Sequence, residues 1–265
     1  GAGAARTVTL TPAPDQFGTA TVVFTVADPD GGTNTASLTV AVNGVNDAPT
    51  LAPIADVTLN EDAGPQTVLL TGLGIGAANE GQTLSVTAVS SAPGIVPNPT
   101  VSYTNGSATA VLRYAPVTNA FGDATITVTV NDGGASNNIV TRGFLVRVLP
   151  VNDLPTLVLP GPQATPEDTT LTLNVTVNDV ETPAGLTLSA QTSNPQVIAL
   201  DGIVFGGTGT NRTVSLRPLT NAFGSVDVTL TLTDAEGGVT SGVLQVDVTP
   251  VNDPPVLSPR SEEHT

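Results

Sequence analysis

The side chains able to do chemistry in this chain are almost all oxygen donors. Its 265 residues hold 23 Asp and Glu against 7 basic residues, all Arg, with one His and no Cys. Thiolate catalysis, disulfides and Cys-based zinc sites are therefore excluded. Clustered carboxylates repel unless a cation sits among them, so their placement matters more than their number. They recur in register. Val-Asn-Asp-x-Pro occurs at 45–49, 151–155 and 251–255, contributing Asn46, Asp47, Asn152 and Asp153. Asn60-Glu61-Asp62, Asn79-Glu80, Asp132, Asp179-Val180-Glu181 and Asp234 supply further oxygens between apolar segments.

Strands must position these groups. PDQFGTATVVFTVAD (14–28), TNAFGDATITVTVND (118–132) and TNAFGSVDVTLTLTD (220–234) align without gaps, with Phe17, Phe121 and Phe223 at intervals of 104 and 102. A period near 100 marks an array of whole domains. Ile126, Val128 and Val130 alternate with Thr125, Thr127 and Thr129, as a half-buried antiparallel strand requires. A Gly-containing turn and a second alternating strand follow, so each pair predicts a hairpin. The Pro of each linker cannot donate to a ladder and ends one sandwich before the next. The expectation is an all-β chain of tandem Greek-key immunoglobulin-like β-sandwich modules. The truncated end of one module is expected at 1–49, complete modules at 50–154 and 155–254, and the start of another at 255–259.

A strand rises about 3.3 Å per residue, so Phe121 and Asp132 lie roughly 35 Å apart, at opposite ends of a sandwich. The hairpin return then brings Asn152 and Asp153 back to the end that carries Asn119, with Glu61 and Asp62 at the same seam. The loops expected to face them hold Asp179, Glu181 and Asp234. At the preceding seam Asn46, Asp47 and Asp132 meet Glu80. Asx residues and Gly are also ordinary turn formers, and the same pattern serves that purpose.

These linkers and loops resemble the cadherin-like tandem repeats of large bacterial surface and adhesion proteins. VNDAP, VNDLP and VNDPP resemble the second half of the cadherin linker, Asp179-x-Glu181 its Asp-x-Asp pair, and Glu61 or Glu167 the glutamate near the end of the first strand. The resemblance covers about 250 residues. It implies calcium between consecutive modules, stiffening a rod. The Asp-Arg-Glu loop of cadherins is replaced here by Asn-Ala-Phe-Gly, and the linker lacks one Asp and one Asn, which implies one or two ions per junction rather than three. Calcium suits such a set because it accepts six to eight hard oxygens, whereas zinc would want His or Cys.

The function expected is a structural stalk or spacer in an extracellular bacterial surface protein, with calcium and the neighbouring modules as partners. The alternative is an adhesin module holding a cell-surface glycan or protein on its sandwich face. With six Phe, two Tyr and no Trp, few aromatic platforms are available for sugars, and the exchanged Trp of many homotypic cadherins is missing. A pI of 4.1 argues against nucleic acid and anionic membrane surfaces. No apolar run reaches spanning length, so direct membrane insertion is not expected. An enzyme would have to rely on a carboxylate pair, and the carboxylates recur at module ends, which suits architecture instead. Asp28-x-Asp30-Gly31 lacks the closing Glu and the helices of an EF-hand. Gly72-Leu73-Gly74-Ile75-Gly76 lacks the strand-to-helix setting of a phosphate loop. The absence of Met reads as an interior piece of a longer protein. Residues 260–265 resemble a translated sequencing adapter and are set aside; without them 6 basic and 21 acidic residues remain.

Overall fold

The computed structural model describes residues 5–255. The tail at 260–265 lies outside that range, as does the expected start of a further module beyond Pro255. Contacts divide the chain into two compact units, the first ending at Pro150 and the second starting at Val151. The linker at 151–155 thus belongs with the module that follows it, and the first hairpin shares a unit with the module after it.

In the first unit, β1 (Gly18–Ala27) and β2 (Thr33–Val42) pair as an antiparallel hairpin. The strands that follow are β3 (Val57–Asn60), β4 (Gln66–Thr71), β5 (Ser85–Ser90), β6 (Thr100–Tyr103), β7 (Thr109–Tyr114), β8 (Gly122–Asn131) and β9 (Ile139–Leu149). They form sheets of order β3-β9-β8-β5 and β4-β7-β6, with β3 parallel to β9. The second unit contains β10 (Thr156–Val158), β11 (Gln163–Pro166), β12 (Leu171–Asn178), β13 (Thr187–Thr192), β14 (Ile203–Thr208), β15 (Asn211–Leu216), β16 (Gly224–Thr233) and β17 (Val239–Thr249). Its sheets run β11-β17-β16-β13 and β10-β12-β15-β14, with β11 parallel to β17. Two sheets face each other in each module, as the alternation predicts.

The core follows the period of two. Along β8, Ala124, Ile126, Val128 and Val130 are fully buried while the intervening Thr side chains reach the surface. Phe144, Leu112 and Leu70 complete that core. Val228 and Leu230 of β16 and Leu244 of β17 do the same in the second unit. Because few aromatics are present, these aliphatic faces carry most of the apolar burial, at about 25 cal/mol per Å².

The Asn-Ala-Phe-Gly segment before β8 and β16 is a turn with a fixed backbone. Asp15, Asn119 and Asn221 occupy the left-handed region at φ of 55°, 56° and 55°, a conformation that Asn and Asp tolerate better than other side chains. Asn119 N–H donates to Asp62 Oδ1 at 3.1 Å, and Asn221 N–H to Asp168 Oδ1 at 3.2 Å. Phe121 and Phe223 are 42% and 57% exposed, so the Phe that marks the repeat is not a core residue.

Candidate functional site

The end of β12 and the end of β16 bring the acidic groups of the second unit together. Asp179 follows β12 and is 4% exposed; Asp234 follows β16 and is 5% exposed. Each folds its own loop. Asp179 Oδ1 accepts from the N–H of Glu181 at 3.1 Å and of Thr182 at 2.6 Å. Asp234 Oδ1 accepts from the N–H of Glu236 at 2.9 Å and of Gly238 at 2.7 Å. The turn-forming reading of these residues is thus correct for one oxygen of each.

The linker is held by what remains. Asn152 Nδ2 donates to Asp234 Oδ2 at 3.1 Å, and Asp153 N–H donates to Glu181 Oε2 at 3.1 Å. Burial pushes the Asp234 carboxyl up, but the Asn152 amide and the N–H groups of Gly238, Gly237 and Glu236 outweigh it and hold it below its ordinary value. Three carboxylate oxygens are left buried with no hydrogen-bond partner: Asp153 Oδ2, Asp179 Oδ2 and Glu181 Oε1. The sole ion pair among the described residues, Arg147 with Asp123 at 3.0 Å, lies in the other unit.

The first unit repeats the scheme with substitutions. Asn46 Nδ2 lies 3.3 Å from Asp132 Oδ2 and donates to Ser136 O at 2.7 Å. Asp47 N–H donates to Glu80 Oε1 at 3.0 Å. Ala78 stands where the second unit has Asp179, and the Gln82 amide enters to donate to Asn46 Oδ1. Glu80 Oε2 and Gln82 Oε1 are the buried unpartnered oxygens here. Beside them, Asp15, Asp47, Asn79 and Glu80 line a cavity of ≈ 160 Å³.

Glu61, Asp62 and Asn119 sit at the other end of the first module. Glu61 is buried, with its N–H on Leu149 O at 2.8 Å, and Asp62 and Asn119 are exposed and joined to each other. Their counterparts Glu167, Asp168 and Asn221 repeat this arrangement in the second unit, where Glu167 Oε1 accepts the N–H of Val251 at 2.6 Å. Glu167 Oε2 is buried without a partner. Among the described residues, no three His, Cys, Asp or Glu side chains already stand in ligand geometry.

A family model described as bacterial Ig domain matches the sequence three times, over residues 2–41, 46–141 and 152–247. The chain belongs to the bacterial Ig domain family. Among curated proteins none matches its sequence. Among solved structures, these bacterial Ig modules are similar to the extracellular cadherin domains 1–5 of protocadherin gamma B2 at 15% identity and a TM-score of 0.51. That match covers 91% of this chain and 52% of the other. The human desmocollin-1 ectodomain matches at 16% identity and a TM-score of 0.46, over 89% of this chain and 48% of its own. The chain thus spans about half the length of either cadherin structure, and at 15% identity the likeness to the protocadherin domains is one of fold alone. Among the described residues no helix is long and apolar enough to cross a membrane.

Several residues of the bacterial Ig linkers escape a reading of sequence alone. Thr182 donates its hydroxyl to Glu236 Oε2 at 2.8 Å, tying the two acidic loops together. Gln82 reaches Asn46 only because of the local path after Ala78. Gly134 and Gly238 read as turn residues, yet a Cβ on either would overlap the linker Asn or its Asp partner. The one available signal was positional: Asp15 occupies the place of Asn119 and Asn221 in the aligned repeats.

Proposed function

We propose that the chain is a stalk or spacer segment of a large extracellular bacterial surface protein, in which calcium at the linkers fixes each linker to the module that follows. The observation that supports this most is the set of buried, unpartnered carboxylate oxygens on Asp153, Asp179 and Glu181. A buried carboxylate oxygen without a donor is costly, and several together are costlier. A hard divalent cation relieves both. Calcium's loose six-to-eight coordination tolerates ligands that close by side-chain rotation, and carboxylate, amide and main-chain oxygens are the donor types at hand. Asp153 ties the linker to this set, so an ion held there restrains the linker directly. Asn152 and Asp234, already bonded to each other, act as the anchor beside it. In the first unit, Asp47, Glu80 and Asp132 with Asn46 form the corresponding set, with one buried carboxylate fewer.

The test is the full chain in calcium and in chelator, by thermal unfolding and small-angle scattering. An ion bound only to the folded state stabilises it by about 2.7 kcal/mol at a hundredfold excess over Kd. A higher melting temperature and a narrower spread of particle dimensions in calcium are expected. Identical curves in the two conditions would remove the calcium part of this reading.

A further inference from the structure

The two complete modules fill one inward position in opposite ways. In the first, Tyr103 on β6 pairs with Ala110 on β7, which pairs in turn with Leu70 on β4. Ala110 is buried, and the Tyr103 ring packs against a core that is one continuous cluster. The matching trio in the second module is Gly207 on β14, Arg212 on β15 and Val175 on β12. Large and small have changed places, and the large group is now a cation.

Arg212 alternates with buried Val214 and Leu216 along β15, so its side chain leaves the strand on the core side. A guanidinium does not fill apolar space, and Gly207 contributes no side chain. A cavity of ≈ 120 Å³ remains, walled by Leu186, Leu188, Phe205 and Leu232 with Arg212 beside them. The apolar interior narrows there: Val177, Leu186 and Leu232 form a small buried cluster linked to the main one through the half-buried Leu157 and Leu188. Arg212 Nε donates to Gly209 O at 2.9 Å, and no carboxylate among the described residues pairs with this guanidinium. Inward charges can guard a sheet edge, but β15 is an interior strand, so Arg212 guards none.

We propose that this cavity is a binding site for a small aromatic carboxylate, its ring in the apolar space and its carboxylate on Arg212. An apolar cavity of about 150 Å³ accepts benzene, so the volume here suits one ring rather than a sugar or a drug-sized molecule. The position left empty is the one that a phenol ring takes in the sister module. A guanidinium offers a planar fork of donors that matches a carboxylate. The site is separate from the calcium reading and stands whether or not calcium binds.

Benzoate titrated into the full chain, followed through the methyl resonances of Leu186, Leu188 and Leu232, tests the proposal, with benzyl alcohol as the uncharged control. Saturable benzoate shifts are expected. Arg212→Gln should weaken benzoate at least tenfold and leave benzyl alcohol unchanged. Leu186→Phe, which fills the space with a ring, should abolish both without lowering the melting temperature; if it lowers it, the Arg212→Gln comparison decides alone. Methyl resonances that ignore benzoate, or equal benzoate affinity in Arg212→Gln, would overturn the site.

Discussion

Asn152 donates its side-chain amide to Asp234 Oδ2 at 3.1 Å, across 82 positions of sequence, and Asn46 approaches Asp132 in the same way in the first unit. A linker residue is thereby bonded to the loop after β16, or after β8, of the module it precedes. The joint between modules begins as part of the next module's fold, and any cation adds to an anchor already made of hydrogen bonds.

Space for that anchor depends on Gly238. A Cβ there would overlap the Asp234 carboxylate and lie 2.8 Å from Asn152 Nδ2, whereas at Gly237 nothing lies within 4 Å and only its φ of +96° is unfavourable to other residues. Gly238→Ala is expected to cost about 1–3 kcal/mol as overpacking and to free the Asn152 side chain. Gly237→Ala should cost about 1–2 kcal/mol as backbone strain and leave Asn152 in place. The Asn152 side-chain amide resonance separates the two, with denaturant midpoints as the measure of cost.

Acid should release the same anchor. Asp234 titrates below its ordinary value of 3.8 in the folded chain. A depressed carboxyl adds stability that is complete above the ordinary value and is lost as pH falls through the lower, folded one. The Asn152–Asp234 contact should therefore be intact at pH 5, persist at 3.8, and be lost only as pH falls through the lower, folded value. Asn152→Ala removes one of the groups that depress the titration, so it should move the Asp234 midpoint upward. Carboxyl carbon shifts followed against pH measure both.

Tyr114 ends β7 at 6% exposure, with its hydroxyl buried and unpartnered, and burial raises its pKa. Removing an unsatisfied hydroxyl while keeping the ring should stabilise the fold. Tyr114→Phe is expected to gain about 1 kcal/mol, read from denaturant unfolding. A loss of similar size would mean that the hydroxyl is satisfied in solution.

Much of this was legible in the sequence because a period of two is hard to mistake. Ile126, Val128 and Val130 read as core and are fully buried. The triple Val-Asn-Asp and the aligned Phe-Gly turns announced tandem sandwiches, and the linker residues do lie among acidic loops. What sequence could not supply was space and exposure. Phe121 and Phe223 recur like core residues yet stay about half exposed, on a turn held by its backbone φ and by the Asp62 and Asp168 acceptors. The exchange of Tyr103 and Ala110 for Gly207 and Arg212 is visible only through strand register, since the partners lie on different strands. Gln82 lies four residues beyond Ala78, and only the loop's path carries its amide to Asn46.

Asp179 is the place to test the calcium claim most directly, because its Oδ1 is used by the loop while its Oδ2 is buried and unpartnered. Asp179→Asn keeps an oxygen for the Glu181 and Thr182 N–H groups and removes the charge. In calorimetric titration of the full chain with calcium, wild type should show saturable binding. Asp179→Asn should bind at least tenfold more weakly while melting no lower than wild type in chelator. No heat of binding in wild type, or an unchanged affinity in Asp179→Asn, would contradict the account.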